Sequence, residues 1–254
     1  MESEKSAPAP PPAKQENLFI NLGFNILVPV LILTKGDRFV EEAWLVLVIA
    51  LSFPVCYFLY DLRRRRKINI FSIIGFISVL LTGGVGLLEL PRFWFIVKEA
   101  AIPFIFGLAV LVSLKTPYPL IRTLFFNKSI FDVERIRAEL DARGNTRAFE
   151  ALLFRGTLLL AATFFISAVL NWIVASHIVQ TEPSVDPAAF NAEVGRMTAW
   201  SWVVIALPSM AMLMGIFFYL MKGATRMSGL SMDDLIAPEH RAREEAKQAG
   251  REKS

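Results

Sequence analysis

The chain has 254 residues, 54% hydrophobic and 20% charged, with a mean hydropathy of +0.49, far more apolar than a water-soluble domain of this size needs for one core. An ordinary soluble enzyme or binding module is excluded, and a chain that crosses a membrane several times is indicated. The net charge of +4 does not point to nucleic acid, because the basic residues stand beside apolar runs, where membrane flanks carry them.

Residues 1–17 begin acidic and pass into APAPPPA, with too little apolar surface to offset the entropy of ordering, so a flexible tail is expected. No basic leader precedes the first apolar run, and that run leads to KGDR instead of a small-residue cleavage site, so it reads as a retained anchor. Six runs read as spans: Leu18 to Thr34, Ala43 to Tyr60, Ile68 to Leu88, Phe95 to Leu114, Gly156 to Ser176 and Met197 to Met221. The expected fold is all-α, a polytopic transmembrane helical bundle over residues 18–221, followed by a charged tail at 222–254. Twenty-two of the 27 Lys and Arg fall on one set of flanks, including the short RRRRK turn, and this asymmetry puts both termini in the cytoplasm. All five tryptophans fall near the opposite, outer ends of the spans. Cys56 lies inside a span and, being the single cysteine, forms no intramolecular disulfide.

In the first span Asn21 and Asn25 are four apart and share a helical face, and Pro29 continues that line while freeing the carbonyl of Asn25. This face serves either a solute or the packing of helices through side-chain hydrogen bonds. In the third span Gly75, Ser78, Thr82 and Gly86 form a small-residue stripe suited to close packing.

The fourth span carries Lys98, Glu99 and Pro103 at its leading end. Its charge-free part, Ala100 to Leu114, would reach only about 22 Å as a helix, against a hydrocarbon core of about 30 Å. The span must therefore start near Phe95, which puts Lys98 and Glu99 about one turn below a membrane surface, where an ionisable side chain is costly. Adjacent residues point about 100° apart, so the pair is not expected to neutralise itself, and each needs another partner. Pro103 would clash with the carbonyl of Glu99 and weaken the helix there. The plainer alternative is that both side chains snorkel to the interface.

The loop 115–155 carries SIFDVERIRAELDARGN, where Ser129 and Asp132 fit a capping box and Val133, Ile136 and Leu140 recur at helical spacing. A short amphipathic helix lying on the membrane and ending near Gly144 and Asn145 is expected, against the alternative of a solvated connector. Asn171 is a single feature of the fifth span, the one asparagine within it. The outer loop His177 to Arg196, with two prolines and three acids, reads as a turn, and Pro208 with Ser209 are single features of the same kind in the sixth span. In the tail, Pro238 suits the first turn of a charged helix.

No nucleophile with a base, paired carboxylates or histidine and acid cluster is present, so neither catalytic residues, cofactor nor metal site is expected, and His177 near the outer surface stands alone. The candidate functional residues are Asn21, Asn25, Lys98, Glu99, Pro103 and Asn171. Anionic lipid headgroups are the expected partners of the basic side.

The chain resembles the bacterial intracellular septation protein A family, inner-membrane proteins of the cell envelope. The resemblance covers roughly Leu18 to Tyr219 and is carried by NILVPVLIL at Asn25 to Leu33, TGG at Thr82 to Gly84, Lys98, FGLAVLVS at Phe106 to Ser113, PLIRTLF at Pro119 to Phe125 and LNW at Leu170 to Trp172. The longer central loop, proline-rich head and charged tail depart from the family pattern. The resemblance implies a non-enzymatic role in envelope maintenance or septation, through contact with membrane proteins of division and wall synthesis. Separately, further copies of the chain are a candidate partner. The competing expectation is a small secondary transporter with a broken fourth helix, and the weakest is an enzyme acting on lipid-linked substrates.

Overall fold

The computed structural model describes residues 27–65, 70–116, 120–126 and 131–236. Among them the chain forms an all-α helical bundle. Its helices are α1 (Val28–Lys35), α2 (Ala43–Arg65), α3 (Ile70–Leu87), α4 (Arg92–Ser113), α5 (Leu120–Phe125), α6 (Val133–Ala142), α7 (Thr146–Ile178), α8 (Pro187–Ser201), α9 (Leu207–Ser228) and α10 (Met232–Leu235), with a π-helical segment, Trp202–Ala206, joining α8 to α9. Asn21 and Asn25 lie outside the described residues, as do Ser129 and Pro238.

Among the described residues four helices are long and apolar enough to cross a membrane: Ala43–Tyr60, Arg92–Ser113, Thr146–Ile178 and Pro187–Ser228. Their flanks stay uncovered, with Val48, Ile105, Val112, Val169 and Met210 among the exposed apolar side chains, and water does not tolerate so broad an apolar belt. The multi-pass membrane character follows. All five tryptophans are exposed.

The bundle has two apolar clusters, one at each end. At the tryptophan end, Leu47 of α2, Val85 of α3, Phe95 of α4, Val174 of α7 and Phe190 of α8 pack together. At the basic end, Val110 of α4, Leu153 of α7, Leu220 and Ala224 of α9 and Leu235 of α10 form the second cluster, to which α1, α2 and α3 contribute nothing. The described part of the molecule is therefore a body, α4 to α10, with a layer, α1 to α3, attached at one end.

The expected turn at the tryptophan end is largely helix. Asp186 caps α8 by accepting from the Ala189 amide at 2.9 Å, and Pro187 occupies the first turn, where its missing N–H costs nothing. The helical stretch Pro187–Ser228 runs 42 residues, about 63 Å at 1.5 Å per residue and twice a bilayer core. The Arg92 amide at the start of α4 donates to Glu182 at 2.8 Å, and the Arg92 guanidinium donates to the Val179 carbonyl at 2.8 Å. This clamps α4 to the connection between α7 and α8.

At the basic end α6 forms as expected, but Asp132 is itself the cap, accepting from the Arg135 amide at 3.1 Å. The apolar face of α6 meets protein and not lipid, which corrects the sequence reading: Ile136 and Leu140 are buried in the same cluster as Phe131 and Leu235. The chain returns there because Gly229 ends α9 in the left-handed conformation, φ +71°, with the Arg143 guanidinium packed where a side chain would sit. The Asp132 amide then donates to the Leu235 carbonyl at 2.9 Å, and Arg135 pairs with Asp234 at 3.2 Å.

Candidate functional site

A cavity of about 400 Å³ opens where the α1–α3 layer meets the body, a volume within the ~300–1,000 Å³ of small-molecule sites. The layer supplies Pro29, Pro54, Ser78 and Thr82, and the body supplies Lys98, Glu99, Asn171, Thr198 and Ser201. Of the candidate residues, the structure brings Lys98, Glu99 and Asn171 to this one wall. Pro103 is not part of the lining.

Lys98 is only 7% exposed. It points inward and does not snorkel, and its ammonium donates to Thr82 Oγ1 across the boundary between α4 and α3 at 2.7 Å. The Thr82 hydroxyl in turn donates to the Ser78 carbonyl at 3.0 Å. Lys98 also pairs with Glu99, contrary to the expectation that neighbours on a helix cannot meet. That expectation followed Cβ directions alone. Four methylenes let the lysine bend back around the helix to a carboxylate 100° away, and low-dielectric surroundings reward it for doing so. The Phe95 ring, 4.8 Å from Nζ, faces the same ammonium. Glu99, at 24% exposure, has no other partner among the described residues.

The remaining polar groups are set by their own helices. Thr198 donates to the Val194 carbonyl at 2.9 Å and Ser201 to the Met197 carbonyl at 2.8 Å. Asn171 spends its amide N–H on the Ser167 carbonyl at 2.8 Å, and Ser167 meets Ser209 of α9 at 2.7 Å. With their hydroxyl donors spent on backbone, Thr198 and Ser201 offer a ligand oxygen lone pairs, while Asn171 keeps its carbonyl oxygen and one amide N–H. Glu99 adds a carboxylate. The cavity, apolar over most of its lining, thus carries a cluster of oxygen acceptors and one internally held cation.

Prolines shape the helices around it. Pro208 cannot donate to the Val204 carbonyl, and the helix widens just ahead of it: the Leu207 amide reaches back five residues to Trp202. Trp202, Ile205 and Ala206 of that π segment line the cavity, as does Pro54 inside α2. By contrast α4 stays continuous through Pro103 from Arg92 to Ser113, so the broken fourth helix expected of a transporter is absent. The small-residue stripe of α3 divides in two: Gly86 packs against Leu47 and Phe190, whereas Ser78 and Thr82 face the cavity.

Thr82, Thr198 and Ser201 are the wall residues that sequence reasoning did not assign to a site. Thr198, Ser201 and Ile205 share a helical face with Val194, a signal readable at spacings of three, four and seven once that segment is recognised as helix. A second groove, about 580 Å³ and almost wholly apolar, runs between α3 and α4 on the other side of Lys98. Among the described residues no group of three His, Cys, Asp or Glu side chains is placed to hold a metal ion. His177 is exposed and outside the cavity.

No family model, curated protein or solved structure matches the chain.

Proposed function

We propose that the chain is a multi-pass protein of the bacterial inner membrane, with six spans and both termini in the cytoplasm, that binds and carries a small solute bearing positive charge or several hydrogen-bond donors. The observation that carries this reading is the Lys98–Glu99 pair on the wall of the cavity. A buried ion pair is a poor source of stability, since apolar residues of similar volume do as well or better, so its presence at membrane depth argues for use. The acceptor-rich wall selects the solute class. A cationic or amine solute finds Glu99 and hydroxyl oxygens in place of its water, whereas an anion would have to take Lys98 from both its partners.

Proteoliposomes containing the full chain test this with labelled monovalent cations, small amines and small carboxylates as the panel. Saturable flux of a cation or amine, lost in Lys98→Met/Glu99→Leu, is the expected result. Equal flux in both proteins, or none across the panel, would overturn the carrier reading.

A second reading is the envelope or septation role implied by the resemblance, through contact with membrane proteins of division and wall synthesis. The ordered cap formed by α6 and α10 supports it, because Glu134, Arg135 and Arg137 stand exposed on its outer face while its inner face is fully packed. Crosslinking in cells from Arg137→Cys in a Cys56→Ser background tests it. A discrete product with a division protein is expected under this reading, and its loss without effect on flux would separate the two roles.

A further inference from the structure

At the basic end, α7 and α9 enclose a groove of about 390 Å³ whose rim carries Arg155, Lys222, Arg226 and Tyr219 and whose floor includes Ala151 and Gly223. We infer that this groove is a binding site for the phosphodiester of an anionic phospholipid.

Two helical stripes build it. On α9, Tyr219, Lys222, Gly223 and Arg226 follow one another at spacings of three and four, so they share a face. Gly223 lets the helices touch, since an added Cβ would sit 2.5 Å from Leu152 Cδ2. The longer side chains on either side then stand apart around the floor, and the concavity follows from that contrast in size.

Among the described residues the charge of the groove is uncompensated. Neighbouring arginines at this end have carboxylates: Arg122 pairs with Glu150, Arg135 with Asp234 and Arg143 with Glu139. Among the described residues no carboxylate pairs with Arg155, Lys222 or Arg226, and none lines the groove. Three cations around one concavity repel each other unless an anion enters. Guanidinium groups suit the two free oxygens of a phosphodiester, and the lysine adds a point charge.

Depth decides the source of that anion. Arg155 immediately precedes the apolar run that starts at Gly156, and Lys222 immediately follows the one that ends at Met221. The cations therefore stand at headgroup level. One turn further into the span, Leu158 and Leu159 remain exposed, offering a surface to acyl chains that free phosphate would not use. Tyr219 stands between the two zones, as interfacial tyrosines do. The site is separate from the Lys98 cavity and does not rest on any transport function.

The test is native mass spectrometry of the full chain released from vesicles of equimolar phosphatidylcholine and phosphatidylglycerol, paired with melting in each lipid alone. The wild type should retain phosphatidylglycerol preferentially. Each of Arg155→Gln, Lys222→Gln and Arg226→Gln should weaken retention about fivefold, and the three together about a hundredfold. Arg137→Gln, which removes a charge from the same end outside the groove, should leave it unchanged. In phosphatidylcholine alone the triple variant should melt no lower than the wild type, which shows that it folds. Retention unchanged in the triple variant, or lost equally in Arg137→Gln, would overturn the inference. Equal protection by inorganic phosphate would also overturn it, as a site for a free anion.

Discussion

The body and the layer of this bundle use the same kinds of residue to opposite ends. Where α4 meets α7, Gly107 faces the Phe165 ring so closely that an added Cβ would lie 2.8 Å from it, and Phe104 stands 5.4 Å from that ring, centroid to centroid. Where α3 faces α4, Gly84 has nothing within 4 Å of the same position. The α4–α7 junction is interlocked, while the α3–α4 junction is more open and is bridged by the lysine-to-threonine bond. Elsewhere the layer is anchored to the body: the Asn191 side chain donates to the Ala43 carbonyl at 2.8 Å, and an added Cβ at Gly195 would lie 2.8 Å from Thr34. The ionisable pair therefore sits beside the more open of the two junctions, and not in the most closely packed part of the molecule.

Substitutions can break or sharpen this contrast. The largest effect belongs to the body. Leu220→Ala removes a fully buried side chain from the basic-end cluster and should cost about 4 kcal/mol, read as a fall in the denaturation midpoint in detergent. Glu99→Leu comes next. It strands the Lys98 ammonium with Thr82 alone and should cost about 3 kcal/mol. The double substitution Lys98→Met/Glu99→Leu should recover most of that loss, and a double variant as unstable as the single would make the pair a structural strut. Gly107→Ala should cost about 1–2 kcal/mol by overpacking the Phe165 ring. Gly84→Ala should fall within about 0.5 kcal/mol of the wild type, with improved helix propensity as the only change. Equal losses from the two glycine variants would abolish the distinction between a tight and a loose junction.

The all-α membrane character was legible because an apolar run long enough to cross a bilayer has few other destinations. Much of the site was not legible. Lys98 and Glu99 stood out by their cost in hydrocarbon, but their mutual pairing depends on a flexible side chain that backbone geometry alone does not constrain. Thr198 and Ser201 fall within the expected sixth span, but the cavity-facing stripe they belong to begins at Val194, in a stretch that Pro183 and Pro187 make read as loop although Asp186 followed by Pro187 begins a helix. The apolar face of α6 reads as membrane-facing because its true cover, Leu235, lies about a hundred residues away in sequence and arrives only through the turn at Gly229. Ser78 and Thr82 read as packing surface, since a small hydroxyl on a helix looks the same whether it meets a neighbour or a cavity.

Under the proposed carrier role, water and small solutes reach the space between layer and body. Thiol labelling measures this most directly, using Ser201→Cys on the cavity wall and Leu213→Cys on the exposed apolar surface, both in a Cys56→Ser background. With the protein in vesicles and a small water-soluble, membrane-impermeant reagent, Ser201→Cys should react far faster than Leu213→Cys and should be protected by the transported solute. A Ser201→Cys thiol no more reactive than that of Leu213→Cys would mean that the cavity is closed to water, and the account would be contradicted.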